Sequence, residues 1–184
     1  MTPRPFTRLC LASHRKGDAF LHAAKRTGAR VLLLTSTSLE TSDWPREAID
    51  ELYFIPVIAK KWDMAEVIKG VSWLAGTTKI DRVVALDDCD VEKAAMIREH
   101  LRVAGMGDTT AWYFRDKLAM RAKAKEGGLL IPAFAPVLNY GDIRKFLAAV
   151  PGPYVLKPRS MAAAIGIRKI AAGAPTSGLN LWAE

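Results

Sequence analysis

Apolar positions along this chain recur with strand and helix periods in alternation. Arg8 to Ser13 carries Leu9, Cys10, Leu11 and Ala12 as a short apolar run and predicts a strand. Gly17 to Arg26 places Phe20, Leu21, Ala23 and Ala24 at helical spacing, with Gly28 as the stop. Val31 to Leu34 is unbroken and apolar, which suits a strand covered on both faces. Pro45 opens a short helix to about Glu51, and Tyr53 to Val57 reads as a third strand. Asp63 caps a helix through Ala65, Val67, Ile68, Val71 and Leu74. Arg82 to Leu86 is the fourth strand, and Asp90 opens a long helix from Val91 to Ala104, closed by Gly105. Strand and helix thus alternate four times, which predicts an α/β fold: a Rossmann-like, doubly wound parallel sheet with helices on both faces.

Such sheets bind ligands beyond the carboxyl ends of their strands. That selects Ser13-His14-Arg15-Lys16-Gly17, Thr35-Ser36-Thr37 and Asp87-Asp88 as candidate lining. His14 either meets a ligand there or is a satisfied loop histidine. Asp87 and Asp88 are expected to line the cleft, and Asp90 to cap the helix that follows.

After about Gly107 the pattern changes. Thr110 to Lys125 predicts one helix with a stripe of Phe114, Leu118, Ala119 and Ala122, stopped by Gly127-Gly128. Phe134 to Leu138 predicts a strand, Tyr140 to Ala149 a helix and Tyr154 to Leu156 a strand. Ile165 to Ile170 is the returning strand of a hairpin. From Ala171 a run of small and polar residues reads as loop, and Asn180 to Glu184 as the start of an undeveloped helix. No internal repeat is found.

The 184 residues suggest one domain, or one plus a further piece, and 50% hydrophobic content is enough for a core. No apolar run reaches the roughly 18 residues that a membrane helix needs. Leu9 to Ala12 is too short for a signal peptide, so a cytoplasmic protein with no membrane partner is expected. Cys10 and Cys89 sit in apolar surroundings and read as two buried free thiols rather than a disulfide or metal site. His22 and His100 add no metal spacing, and no metal ligand is assigned. The dispersed tryptophans read as packing residues. The net charge of +8 favours anionic partners. Its basic residues are scattered, though, and no DNA or RNA motif accompanies them, so nucleic acid is the weakest of the partner classes.

Two lysines and a loop carry the candidate chemistry. Lys157 ends an apolar strand and precedes Pro158, which biases it towards extended backbone. There its ammonium can meet a phosphate as a point charge, or it is a surface lysine after an edge strand. Lys117 lies on a helix beside Asp116, Met120 and Lys123, and is either a ligand contact or a solvated helix lysine. Ser160 to Gly166 can fold over phosphates through its N–H groups and the Ser160 hydroxyl, or is simply an alanine-rich hairpin tip. No G-x-x-x-x-G-K-[ST] loop occurs.

Taken together, Asp87 to Glu99, Arg115-Asp116-Lys117-Leu118-Ala119-Met120-Arg121, Ile131-Pro132, and Val155-Leu156-Lys157-Pro158-Arg159-Ser160 with Gly166-Ile167 resemble the ATP-grasp superfamily. Ser13 to Gly17 and Asp43-Trp44-Pro45-Arg46-Glu47 are similar to its carboxylate–amine ligase-like branch.

The resemblance implies a pre-ATP-grasp Rossmann-like domain over residues 1–105, a partial α+β ATP-grasp lobe over 106–170 and a loop-like tail over 171–184. It implies ATP as cofactor, contacted by Lys117, Lys157, Ser160 and Gly166. A carboxylate substrate of unknown identity would lie near His14, Asp87 and Asp88, and the reaction would pass through an acylphosphate. No catalytic residue is assigned. Mg²⁺ is expected for the family, but the stretches that would hold it, with the adenine hinge and second lobe, find no counterpart here. The chain is therefore expected to be truncated and incomplete for catalysis. The alternative is a non-catalytic α/β module that pairs with a second copy or another chain.

Overall fold

The computed structural model describes residues 4–58, 61–162 and 164–173. The chain divides into two units, Met1–Phe114 and Arg115–Glu184.

In the first unit β1 (Thr7–Ala12) leads through α1 (Asp18–Arg26) to β2 (Arg30–Ser36) and β3 (Glu51–Ile55). A small hairpin, β4 (Val57–Ile58) and β5 (Lys61–Trp62), precedes α2 (Met64–Thr77), β6 (Arg82–Ala85) and α3 (Val91–Leu101). The main sheet has the order β3-β2-β1-β6, and every pair in it is parallel. Leu9, Leu11, Leu32 and Leu34 join Val67, Val71 and Leu74 of α2 and Ala94 and Ile97 of α3 in one core. The intervening residues Cys10, Ala12, Val31 and Leu33 join Leu21 and Ala24 of α1 and Trp44 in the other. Successive strand residues point to opposite faces. The unbroken apolar runs therefore follow from helical cover on both sides.

Several expected boundaries move. The segment after Pro45 makes only a 3-10 turn, Arg46–Ala48. Beyond it Asp50 is drawn into the sheet margin, where its N–H reaches Val31 O at 2.8 Å and its carboxylate accepts the Val31 N–H at 2.7 Å. The third strand therefore begins at Glu51. The β4–β5 hairpin was not anticipated, because strands of two residues carry no period. It buries Trp62, whose indole N–H donates to Ser36 Oγ at 2.8 Å. The helix expected to reach Ala104 ends at Leu101, where Arg102 takes a left-handed φ of 55° and Val103 N–H returns to Arg98 O at 2.9 Å.

The helix expected over Thr110 to Lys125 is two: α4 (Asp108–Arg115) and α5 (Lys117–Glu126). Asp116 interrupts them in extended conformation, and its carboxylate accepts the N–H groups of Leu118 at 2.8 Å and Ala119 at 3.2 Å. A short acidic side chain satisfies two helix-start donors there, so capping wins over continuation. In the second unit α5 is followed by α6 (Tyr140–Ala149), β7 (Tyr154–Leu156) and β8 (Arg168–Ile170). The expected strand over Phe134 to Leu138 does not form. Pro136 lies within it and can donate nothing to a ladder. Helix α6 and strand β7 have the expected bounds, and α6 is capped by Asn139, whose Oδ1 accepts from Gly141 at 2.7 Å and Asp142 at 3.2 Å. Strands β7 and β8 pair antiparallel, Leu156 opposite Arg168, so the hairpin forms with a shorter return than expected. Ala172 and Gly173 form a turn, while the remainder of the expected tail, including Asn180 to Glu184, lies outside the described residues.

Candidate functional site

In the second unit the α5 start is stapled to the segment that leaves β7. The backbone N–H of Lys117 donates to Arg159 O at 2.9 Å, and its ammonium donates to Met161 O at 2.6 Å and Arg159 O at 3.4 Å. The Arg115 guanidinium donates to Ser160 O at 3.1 Å, and Arg159 forms an ion pair with Asp116. The Asp116 side chain is fully buried. Burial alone would raise its pKa, but hydrogen bonds from Arg159 and from the Ala119 and Leu118 N–H groups outweigh this and hold it below the usual carboxylate range.

Lys157 directly follows β7. Its exposure continues the strand's alternation: Tyr154 and Leu156 are half-buried, Val155 and Lys157 exposed. Ser160 is half-buried within the stapled segment. Gly166 has a φ of 71°, and a Cβ there would stand 2.7 Å from Pro158 Cγ. Only glycine closes the loop this tightly back onto the residue after Lys157. The structure thus brings Lys117 and Ser160 to the segment that starts at Lys157, and Gly166 against Pro158.

The first unit has its own candidate position, a topological switch point. Chain order reverses between β1 and β6: β1 leads towards β2 and β3 on one side, and β6 arrives on the other. Ligands bind beyond the strand ends at such a switch point. His14 follows β1, and Asp87 and Asp88 follow β6. His14 and Asp88 are exposed, whereas the Asp87 side chain is 2% exposed. Asp87 Oδ1 accepts the Cys89 N–H at 2.8 Å, and Lys16 Nζ lies 2.5 Å from Asp87 Oδ2. Burial pushes the Asp87 pKa up, but hydrogen bonds with Asp88, the Cys89 N–H and Lys16 prevail and hold it well below the ordinary value.

Asp90 departs from its expected role. It stands at the start of α3 yet makes no side-chain cap, and Asp87 caps the preceding turn instead. The Asp90 side chain is fully buried, accepts the Ser13 N–H at 2.7 Å and pairs with Lys93 at 2.7 Å. It thereby ties the end of β1 to the start of α3. Gly17 completes the junction with a φ of 101°, and a Cβ there would meet Leu86 Cδ1 at 2.6 Å. Cys10 is buried, while Cys89 is only half-buried, at the switch point rather than in the core.

Sequence reasoning missed Asp116 and Asp90 as organisers. Asp116 was findable, since Asp immediately before an apolar-periodic run is a helix-start signal. The long-range grip of Asp90 on Ser13 left no local trace.

These elements have counterparts among known proteins. The chain is 29% identical over 105 residues to the alanine–anticapsin ligase of Bacillus subtilis, a match covering 57% of this chain and 22% of that protein. The L-amino acid ligase from Bacillus licheniformis superposes with a TM-score of 0.71 at 19% identity, over 94% of this chain and 39% of its own. The biotin carboxylase domain of Hydrogenobacter thermophilus 2-oxoglutarate carboxylase, in complex with MgADP, ADP and bicarbonate, gives 0.68 at 16% identity, over 92% and 38%. No family model matches the chain. The likenesses identify the fold: this chain carries part of the fold of the ATP-grasp carboxylate–amine ligases. It spans well under half the length of the proteins it matches. Among the described residues no helix is long and apolar enough to cross a membrane.

Proposed function

We propose that this chain binds the phosphates of ATP through Lys117, Lys157, Ser160 and the loop to Gly166, as part of an ATP-dependent carboxylate–amine ligase. Residues 1–105 act as the pre-ATP-grasp domain and residues 106–170 as the first nucleotide-binding lobe. One observation carries the assignment: the Lys117 ammonium rests on the carbonyls of Arg159 and Met161, in the segment that Lys157 begins. In the chemistry of this class, ATP phosphorylates a carboxylate and an amine displaces phosphate from the acylphosphate. Phosphoryl transfer depends on positioning and on neutralising the charge of the transferred group, and lysine ammoniums do both. Here Lys117 exchanges two carbonyl partners for phosphate oxygens, and Lys157 approaches from the exposed side of the strand. Gly166 and Ser160 hold the loop that excludes water.

Mg²⁺ accompanies ADP in one of the solved structures of similar fold. In the second unit the described carboxylates are Asp116, Glu126 and Asp142, and each pairs with a cation: Arg159, Lys123 and Lys145. They do not fit a Mg²⁺ site, and Mg²⁺ enters only as the counter-ion of ATP. The switch point at His14, Asp87 and Asp88 receives the substrate.

Calorimetric titration of MgATP into the purified chain and into Lys157→Ala tests the assignment. Weaker binding by the variant is expected, and equal binding by both removes Lys157 from the site.

Exposed apolar side chains favour a second role, as a non-catalytic module that pairs with another chain. Leu129, Leu130, Leu138, Val155 and Ile165 are all more than half exposed. Apolar surface of this kind favours association. Sedimentation velocity would then show concentration-dependent dimers, and a monomer at every concentration would dismiss that role.

A further inference from the structure

Beyond the ends of β1 and β6, Cys89 joins His14 and Asp87, the two side chains already assigned to the substrate. One ligand-type atom from each of His14, Asp87 and Cys89 lies within 4.8 Å of the other two. We propose that these three residues form a binding site for a divalent cation of the zinc class.

The donor set is the first argument. One imidazole nitrogen, one carboxylate oxygen and one sulfur match the ligands of zinc and its borderline-soft neighbours. Mg²⁺ prefers oxygen donors throughout, so the site is distinct in chemistry from the ion that accompanies ATP.

Construction is the second argument. Two strand ends 73 positions apart in sequence, at His14 and Asp87, are locked together by independent contacts. Asp90 takes the Ser13 N–H at 2.7 Å, and Gly17 packs on Leu86 with no room for a Cβ. Asp87 is fixed by the Cys89 N–H at 2.8 Å. His14 Nδ1 lies 3.2 Å from Ser13 Oγ. That hydroxyl is a hydrogen-bond partner for the ring, and such partners orient metal-bound histidines. Few degrees of freedom remain to be frozen when a metal enters.

Charge is the third argument. The Lys16 ammonium stands 2.5 Å from Asp87 Oδ2, on a side chain that is 62% exposed. It occupies a cation position and can swing into solvent when a divalent ion takes its place. Asp88 Oδ1, 3.8 Å from Cys89 Sγ, adds negative charge nearby. On binding, the Cys89 thiol loses one proton to solvent and becomes thiolate, His14 binds as neutral imidazole, and Asp87 exchanges Lys16 for the metal. The exposure of His14 leaves the fourth position to water.

The site shares His14 and Asp87 with the proposed substrate position, so a bound cation would meet the substrate there, while the nucleotide phosphates are assigned to other residues in the other unit. Titrating Co²⁺ into the full 184-residue chain reads it directly, because a thiolate ligand gives a charge-transfer band in the near ultraviolet and four-coordination gives intense visible bands. One equivalent should bind with both signatures, and Zn²⁺ should erase them. Cys89→Ser should lose the thiolate band, His14→Ala should weaken binding, Cys10→Ser should change neither, and Lys16→Met should tighten binding. Circular dichroism checks that each variant is folded. If Cys89→Ser does not fold, the exposed His14→Ala and Lys16→Met variants decide the question. Absence of a thiolate band in the parent chain, or a band that survives Cys89→Ser, overturns the proposal. So does Co²⁺ affinity indifferent to both His14→Ala and Lys16→Met.

Discussion

The ammonium of Lys117 donates to the carbonyl oxygen of Met161 at 2.6 Å, across 44 positions of sequence. A lysine at the first position of a helix thus holds the loop that follows β7. Replacing it with methionine keeps most of the stem and removes the charge. A charge-assisted hydrogen bond is worth about 1.5–3 kcal/mol. Lys117→Met should therefore weaken MgATP binding by roughly 10- to 100-fold. Isothermal calorimetry on both proteins checks this.

Asp116 makes the second unit sensitive to acid. Its folded pKa lies below the ordinary carboxylate value because Arg159 and two helix-start N–H groups favour the carboxylate over the cost of burial. The folded state therefore holds the proton more weakly than the unfolded chain. The resulting stability is complete above about pH 4 and is lost as pH falls through the lower folded value. Arg159 is 55% exposed, so solvent screens the pair. Asp116→Asn keeps an oxygen for the cap and loses the charge that pairs with Arg159, so it should cost about 1 kcal/mol at neutral pH. Hydrogen exchange of the α5 amides should show that difference at pH 7 and a shrinking one below pH 4.

Gly17 is required twice, by its φ of 101° and by its approach to Leu86. Gly17→Ala should destabilise the first unit by about 1–3 kcal/mol, since both a left-handed backbone and a displaced neighbour are imposed. Thermal unfolding followed by fluorescence of the buried Trp44 and Trp62 checks it. An unchanged midpoint would mean that the loop relaxes freely.

Asp90 is a clamp rather than a cap. Asp90→Ala would leave the Ser13 N–H without its partner and Lys93, whose side chain is 22% exposed, without its carboxylate. A loss of about 2–4 kcal/mol is expected in urea unfolding. An ordinary helix cap would cost about 1 kcal/mol.

The sequence made the parallel sheet legible because its apolar runs are dictated by cover on both faces. Helix α6 and strand β7 were legible because Asn139 and the glycine and prolines around β7 punctuate them locally. The break at Asp116 was hidden by the apolar stripe that runs through it from Phe114 to Ala122. The false strand at Phe134 to Leu138 arose from weighing apolar content over the missing donor of Pro136. Of the candidate sites, Lys117 and the loop after Lys157 were legible as separate features, whereas their junction is a contact over more than 40 residues. The grouping of His14 with Cys89 is likewise tertiary, since neither residue has a spacing that announces the other.

The central claim is that Lys117 and Lys157 act on the phosphate tail of one nucleotide. The ratio of ATP to AMP affinity, measured by calorimetry for the parent chain, both single alanine variants and the double variant, tests it most directly. The account predicts a clear preference for ATP in the parent chain, reduced by each substitution and abolished by both, with AMP affinity little changed. A preference for ATP that survives the double substitution, or no binding of ATP by the parent chain, would contradict it.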